Sequence, residues 1–236
     1  MSSFVIMCAS VGYTAESIFG FGGSVITFLL LTQKLPAREV VTLLPVFALV
    51  GSLTVLLSDF RSIEWKKVSK VALLATPPLI LGSLFMGKLP ERALNLTILS
   101  LILLYGINLV LGKNPVIHPR LRYPLYALAG FILGATSLGI FFVPLAGPTF
   151  SNQRNYRASL ALLWFITGIC RIITYYGYGI LTLSGITSAL TASPFLLIGV
   201  LVGYYLHRLI PEDHFRRYIG GAIIFATTAN ILQLFS

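Results

Sequence analysis

Between Phe4 and Thr32 the chain carries a single charged side chain, Glu16, and the stretch is broken near its middle by Gly20-Phe21-Gly22-Gly23. As one helix these 29 residues would reach roughly 44 Å, too long for one untilted crossing of a bilayer and too short for two. About 118 residues later a second apolar stretch, from Leu125 to Phe150, is interrupted by Gly134, Gly139, Pro144, Gly147 and Pro148. Unwound backbone is tolerated at membrane depth only where it lines a polar cavity or is buried in protein. Two such breaks in corresponding positions are the pattern expected around a transporter's binding region.

The rest of the chain agrees with a membrane setting. Hydrophobic residues make up 56% and charged residues 10% of the sequence, where a soluble domain carries about a quarter charged. Apolar runs long enough to cross a bilayer recur at 37–57, 71–87, 93–111, 158–178, 186–206 and 219–235. The polar connections between them are too short for a soluble domain. The first stretch has no basic leader and too long an apolar run for a cleavable signal peptide. The net charge of +10 resides in short loops, as topology signals do, so the expected partner is the lipid bilayer and not nucleic acid. Cys8 and Cys170 fall inside apolar runs and read as free thiols, with no disulfide framework or metal spacing.

The two halves can be laid over one another. Gly12 matches Gly130, Arg38 matches Arg157, Pro77 matches Pro194, Gly82 matches Gly199, Pro90-Glu91 matches Pro211-Glu212, and Asn108 falls within a residue of the counterpart of Asn230. The order and near-constant offset point to an internal duplication, with repeats at 1–113 and 114–236. If each broken segment is one plain crossing, the basic loop residues divide almost evenly between the two faces. If each folds back at its glycines, one face collects Arg61, Lys66, Lys67, Lys70, Lys113, Arg120, Arg122, Arg154, Arg157, Arg208, Arg216 and Arg217. The other keeps only Lys34, Arg38, Lys88 and Arg92. The positive-inside bias therefore favours the folded-back arrangement, in which three crossings per half invert the second half and both termini lie outside. The expected fold is an all-α integral membrane protein of two homologous halves. Each half has a glycine-broken segment, re-entrant or hairpin, and three transmembrane helices.

A half-helix beginning near Ser24 would present the free N–H groups of Gly22, Gly23 and Ser24 and a partial positive charge, which suits an anion. The matching end is expected near Ser137–Gly139. Gly20, Gly22, Gly23, Ser24, Thr27, Ser137 and Gly139 are accordingly candidate substrate-binding residues; the alternative is that the glycines only permit close helix packing. Glu16 is the one acidic residue inside an apolar run, and Arg171 is the one basic residue so placed away from a helix end. Intramembrane charges are functional candidates by default. Arg171 could hold an anionic substrate while Glu16 carries a coupling proton, or the two could form a structural salt bridge. Asn108 and Asn230 suit hydrogen bonds to neighbouring helices. Thr76-Pro77-Pro78 and Ser193-Pro194 are candidate kinks or cavity walls. Tyr175, Tyr176 and Tyr178 resemble an interfacial belt.

Catalytic signatures are missing from the sequence. His118, His207 and His214 lie in or beside loops without metal-ligand spacing. There is no nucleophile elbow and no acid-rich magnesium motif. Neither an enzyme nor a metal or cofactor is expected.

The run G-F-G-G-S-V-I at Gly20–Ile26, followed by L-P-A-R-E-V-V-T at Leu35–Thr42 and a helix bearing Pro45, resembles the sulfite exporter TauE/SafE family, also called the toluene-sulfonate uptake permeases. The resemblance extends to the duplicated layout and covers nearly the whole chain. It departs at Ser24, where another glycine is common in the family. It implies transport of small organosulfur or sulfur-oxyanion compounds across a bacterial inner membrane. The resulting expectation is a secondary transporter of a small anion, with a homo-oligomer compatible with the sequence. A passive anion channel and a non-transporting membrane scaffold are the alternatives.

Overall fold

The computed structural model describes residues 3–19, 22–112, 118–146, 149–206 and 212–234. Gly20, Lys113, Gly147, Pro148, His207, Arg208 and Pro211, to which the sequence assigns roles, lie outside the described residues. Every regular element among those described is helical.

The first broken segment is a hairpin. Helix α1 (Ser3–Phe19) is followed by α2 (Gly23–Leu31), and Gly22 caps α2 in the left-handed region at φ 91°, a conformation that glycine adopts without a Cβ clash. A Cβ on Gly12 would strike Thr27 and the Gly23 carbonyl, and one on Gly23 would strike Glu16. At the far end Lys34 Nζ lies 4.6 Å from the centre of the Phe4 ring. The two arms therefore run antiparallel, and the chain leaves on the side it entered.

Three long helices follow: α3 (Ala37–Asp59), α4 (Trp65–Lys88) and α5 (Glu91–Leu111). The second broken segment again doubles back, through α6 (Pro119–Thr136) and α7 (Phe142–Ala146). Tyr126 on α6 donates to the Leu145 carbonyl at 2.9 Å and meets the Thr149 hydroxyl at 2.7 Å. Then come α8 (Gln153–Gly177), α9 (Leu183–Thr191), α10 (Ser193–Leu206) and α11 (Glu212–Gln233).

Four described helices, α3, α4, α5 and α8, are long and apolar enough to cross a membrane. A fifth crossing results if α9 and α10, bent by 45°, count as one span. The bend falls beside Ser193 and Pro194. Pro194 sits in the first turn of α10, where its missing N–H would be unpaired in any case. By contrast α4 runs unbroken through Pro77 and Pro78, and Pro77 is exposed on its outer surface.

The helices pair as α1 with α10, α4 with α6, α3 with α8, and α5 with α11. Small residues set the spacing, as is usual where apolar burial does not drive helix association. On α6, Gly130 and Gly134 lie against the Ala75 and Leu79 carbonyls of α4, while Gly82 of α4 lies against the Phe131 carbonyl. On α10, Gly199 and Gly203 lie against the Ser10 and Thr14 carbonyls of α1. Gly106 and Gly220 face each other's carbonyls across α5 and α11. Two apolar clusters fill the spaces left, one around Phe28, Leu44 and Ile98 and the other around Leu79, Leu133 and Phe142.

Candidate functional site

Two adjoining chambers lie beside the middle of α8. The inner one is lined by Gly22 and Ser24 of the first break, Ser137 and Gly139 of the second, and Arg171. The outer one is lined by Ser17, Ser52, Arg157 and Val200. Tyr13, Glu16 and Trp164 belong to both and form the constriction between them. The volume open to the centre of a water-sized sphere is about 60 Å³ in the outer chamber and about 30 Å³ in the inner one. At roughly 10–15 Å³ per water on this measure, the inner chamber suits a few waters or one compact oxyanion.

The backbone around the inner chamber is held by bonds that the breaks themselves require. Pro45 has no N–H to give the Val41 carbonyl, and Ser137 Oγ supplies the missing donor at 2.7 Å. Ser137 itself is left-handed, at φ 59°, and ends α6 with its N–H on the Leu133 carbonyl at 2.8 Å. Tyr175 Oη donates to the Gly134 carbonyl at 2.7 Å and lies 3.5 Å from Ser137 Oγ. Gly139 is packed against the Trp164 indole so closely that a Cβ would collide with it.

Arg171 is 2% exposed. Its Nε donates to the Thr167 carbonyl at 3.3 Å, one turn back on α8. Its Nη1 is buried and has no hydrogen-bond partner among the described residues. The salt bridge to Glu16 does not form. Ion pairs do form between Lys67 and Glu64 at 2.5 Å and between Arg154 and Asp59 at 2.7 Å. Glu16 instead turns to the start of α2, where its carboxylate lies so close to Gly23 that a Cβ there would strike it, on the side of the Gly23 and Ser24 N–H groups.

This corrects the expectation of an open helix end at the first break: a carboxylate of the preceding helix lies against it. The second break differs as well. No half-helix starts at Ser137–Gly139, because Ser137 closes α6 and α7 begins only at Phe142. Ser137 and Gly139 reach the chamber as loop residues. Thr27 is buried against Gly12 between α1 and α2 and does not line either chamber. Asn230 ties α11 to the end of α2, accepting from Gln33 at 2.8 Å and donating to the Ala226 and Leu29 carbonyls. Asn108 is exposed, and Thr76, Pro77, Ser193 and Pro194 line neither chamber. Tyr175 is not part of a belt, being fully buried, while Tyr176 and Tyr178 are exposed.

Over residues 4–229 the chain matches the family described as Sulfite exporter TauE/SafE. The chain belongs to this family. No curated protein and no solved structure matches it. As a TauE/SafE protein it is a multi-pass membrane protein of a family whose members transport sulfite or related anions. In this TauE/SafE chain the sequence reading missed Tyr13, Arg157, Trp164 and Tyr175. Arg157, Trp164 and Arg171 recur every seventh residue, and Tyr175 is four beyond Arg171. That spacing puts all four along one side of α8, a signal available once Arg171 is taken as the starting point.

Proposed function

We propose that the protein is a secondary transporter of the cell membrane that carries a small oxyanion, sulfite or a short sulfonate. The anion binds in the inner chamber, between the two breaks and beside Arg171. The observation that carries this reading is the buried Arg171, which lines a chamber bounded by both breaks and whose Nη1 has no hydrogen-bond partner among the described residues. A buried cation without a counter-ion is strongly unfavourable, and an anion donor–acceptor match at that point relieves it with charge-assisted hydrogen bonds. The compact chamber favours a tetrahedral or pyramidal oxyanion over an aromatic sulfonate. A scaffold whose glycines only pack helices has no reason to leave this space unfilled.

The inverted repeat supplies the mechanism of access. Two hairpins, each followed by helices that pair across the halves (α1 with α10 and α6 with α4), support a two-fold relation in which three crossings invert the second half. One half rocks against the other around the chamber. Arg157 lines the outer chamber at the α8 end nearest Arg61, Lys67, Lys70 and Arg154, the basic and hence cytoplasmic side. The cavity therefore faces the cytoplasm in this conformation.

The test is binding followed by flux. Thermal melts of the purified protein with sulfite, thiosulfate, short sulfonates and carboxylates should rise with ligand concentration. The same anions should exchange across proteoliposomes. Melts and flux unaffected by every one of them would overturn the assignment.

A further inference from the structure

The inner chamber holds two features that attract an anion and one anion of its own. Glu16 stands in the last turn of α1, and its carboxylate lies against the N-terminus of α2 at Gly23 and Ser24. Gly23 lies so close that a Cβ there would strike the Glu16 side chain. Arg171 is 2% exposed, lines the same chamber, and has a buried Nη1 without a partner among the described residues. The carboxylate is thus held by the partial charge of a half-helix, roughly half an elementary charge, and not by the full charge of the guanidinium. An anion arriving beside Arg171 enters a chamber of about 30 Å³ whose wall already holds a carboxyl group, which repels the anion whenever it is ionised. Like charges at such separation disfavour one another's ionised forms.

The other groups facing Glu16 sharpen the point. Tyr13 lies one turn before it on α1, and α8 presents Arg157 in the outer chamber and Arg171 in the inner one. Among the described residues α2, α3, α10 and the α6–α7 break present no titratable side chain to either chamber. Glu16 is the one carboxyl group among the described residues that lines the chambers, and it borders both of them.

We propose that Glu16 is a tethered competitor of the transported anion: the substrate takes over the Gly23 and Ser24 N–H groups and Arg171 only when Glu16 accepts a proton from water in the outer chamber. Anion binding and proton uptake are then linked one to one, and protonated Glu16 releases the α2 terminus. This inference rests on the anion site described under Proposed function.

The experiment is calorimetric titration of the purified full-length protein with methanesulfonate and with thiosulfate, whose charges do not change over the range used. Wild type, Glu16→Gln, Glu16→Asp and Arg171→Gln are compared from mildly acidic to mildly alkaline pH. In wild type the affinity should fall on the alkaline side by up to about tenfold per pH unit, the limit for one linked proton. The measured heat should vary with the ionisation enthalpy of the buffer, giving close to one proton taken up per anion. Glu16→Gln should bind more tightly than wild type at alkaline pH, with neither pH dependence nor linked proton, and Glu16→Asp should keep both.

Wild-type binding that is lost in Arg171→Gln but takes up no proton would overturn the competitor role and leave the anion site standing. So would Glu16→Gln binding no tighter than wild type. Failure of wild type to bind either probe at any pH would overturn both. Should Glu16→Gln not fold, the proton count in wild type decides alone.

Discussion

Arg171→Gln separates a structural from a ligand-binding role because the two predict opposite signs for stability. Removing one partner of a buried ion pair leaves an uncompensated charge, a loss of about 3–5 kcal/mol. Arg171 has no such partner among the described residues: its Nε bonds the Thr167 carbonyl and its Nη1 bonds nothing. Replacing it with glutamine removes a buried charge and retains an amide able to reach a carbonyl one turn back. In the absence of added anion the variant should therefore melt no lower than wild type.

Anion binding should respond the other way. A hydrogen bond to a charged group contributes about 1.5–3 kcal/mol, and each 1.4 kcal/mol is about a factor of ten in Kd. The expected weakening is roughly ten- to a hundredfold for one lost contact. Arg171→Lys keeps the charge but not the planar fork, and should fall between the two. The assay is a pair of measurements on the same sample, thermal melts without ligand and calorimetric titration with sulfite. A variant that melts several kcal/mol lower yet binds sulfite with unchanged affinity would refute the reasoning and make Arg171 a structural residue.

Gly22→Ala and Gly179→Ala both force a side chain onto a positive φ, 91° and 69° respectively, with open space around the new Cβ. Each should lower stability by about 1–2 kcal/mol, but only Gly22→Ala, which alters the chamber wall, should reduce anion flux in proteoliposomes. Gly134→Ala and Gly203→Ala drive a Cβ into the facing backbone of α4 and α1, and should lower the melting midpoint by the equivalent of about 1–3 kcal/mol. Gly221→Ala, with nothing within 4 Å, should be neutral or stabilising. The Glu64 carboxyl is held down from 4.5 to about 2 by Lys67, the Ser151 N–H and Asn155. Its contribution to docking the α3–α4 loop on α8 is thus complete above the ordinary carboxyl range and lost as pH falls towards 2. Hydrogen exchange at 60–66 should accelerate over that interval, and less so in Glu64→Gln. Single cysteines in 61–70 and in 208–217 should both resist an impermeant reagent in intact cells, whereas one ahead of Phe4 should react.

The fold was legible where one residue type forces the backbone. The glycine break was expected around Gly22 and a kink at Ser193-Pro194, and the structure has a left-handed Gly22 and a 45° bend beside Pro194. The lone charges in apolar runs, Glu16 and Arg171, likewise both line the inner chamber. Side-chain partners were not legible. Glu16 reaches Gly23 and Ser24 across a hairpin whose closure depends on Gly12 meeting Thr27, and no local rule fixes that distance. Tyr175 and Tyr176 are adjacent in sequence but point to opposite surroundings, because successive helical positions are rotated by about a quarter turn. Composition alone groups them in a belt; only the position of Arg171 on α8 shows that Tyr175 faces inward. Pro77 and Pro194 occupy matching places in the sequence, but Pro77 follows an uninterrupted first part of α4, whereas Pro194 follows the bend after α9.

The last contrast explains why a frame of matching helix pairs carries unmatched chemistry. In the pair of α4 with α6, close approach is achieved by Gly130 and Gly134 on α6. Any side chain at 134 would collide with the Leu79 carbonyl, so the position that the proposed duplication would pair with Glu16, at the offset of Gly12 from Gly130, cannot carry a carboxylate. In the pair of α1 with α10 the glycines are on the other partner, Gly199 and Gly203 of α10. That choice frees α1 to carry Glu16 and Ser17, the latter bonding the Val200 carbonyl at 2.7 Å. A similar argument holds for Arg171, which the proposed duplication would pair with Ser52 at the offset of Arg38 from Arg157; Ser52 lines the outer chamber. A guanidinium there would stand beside Arg157 in the same chamber, adding a further like charge around a cavity of a few waters. In the proposed reading the Arg171 guanidinium, from the second part of the chain, gives the inner chamber a site for an anion, and the Glu16 carboxyl, from the first, gives it a group that competes.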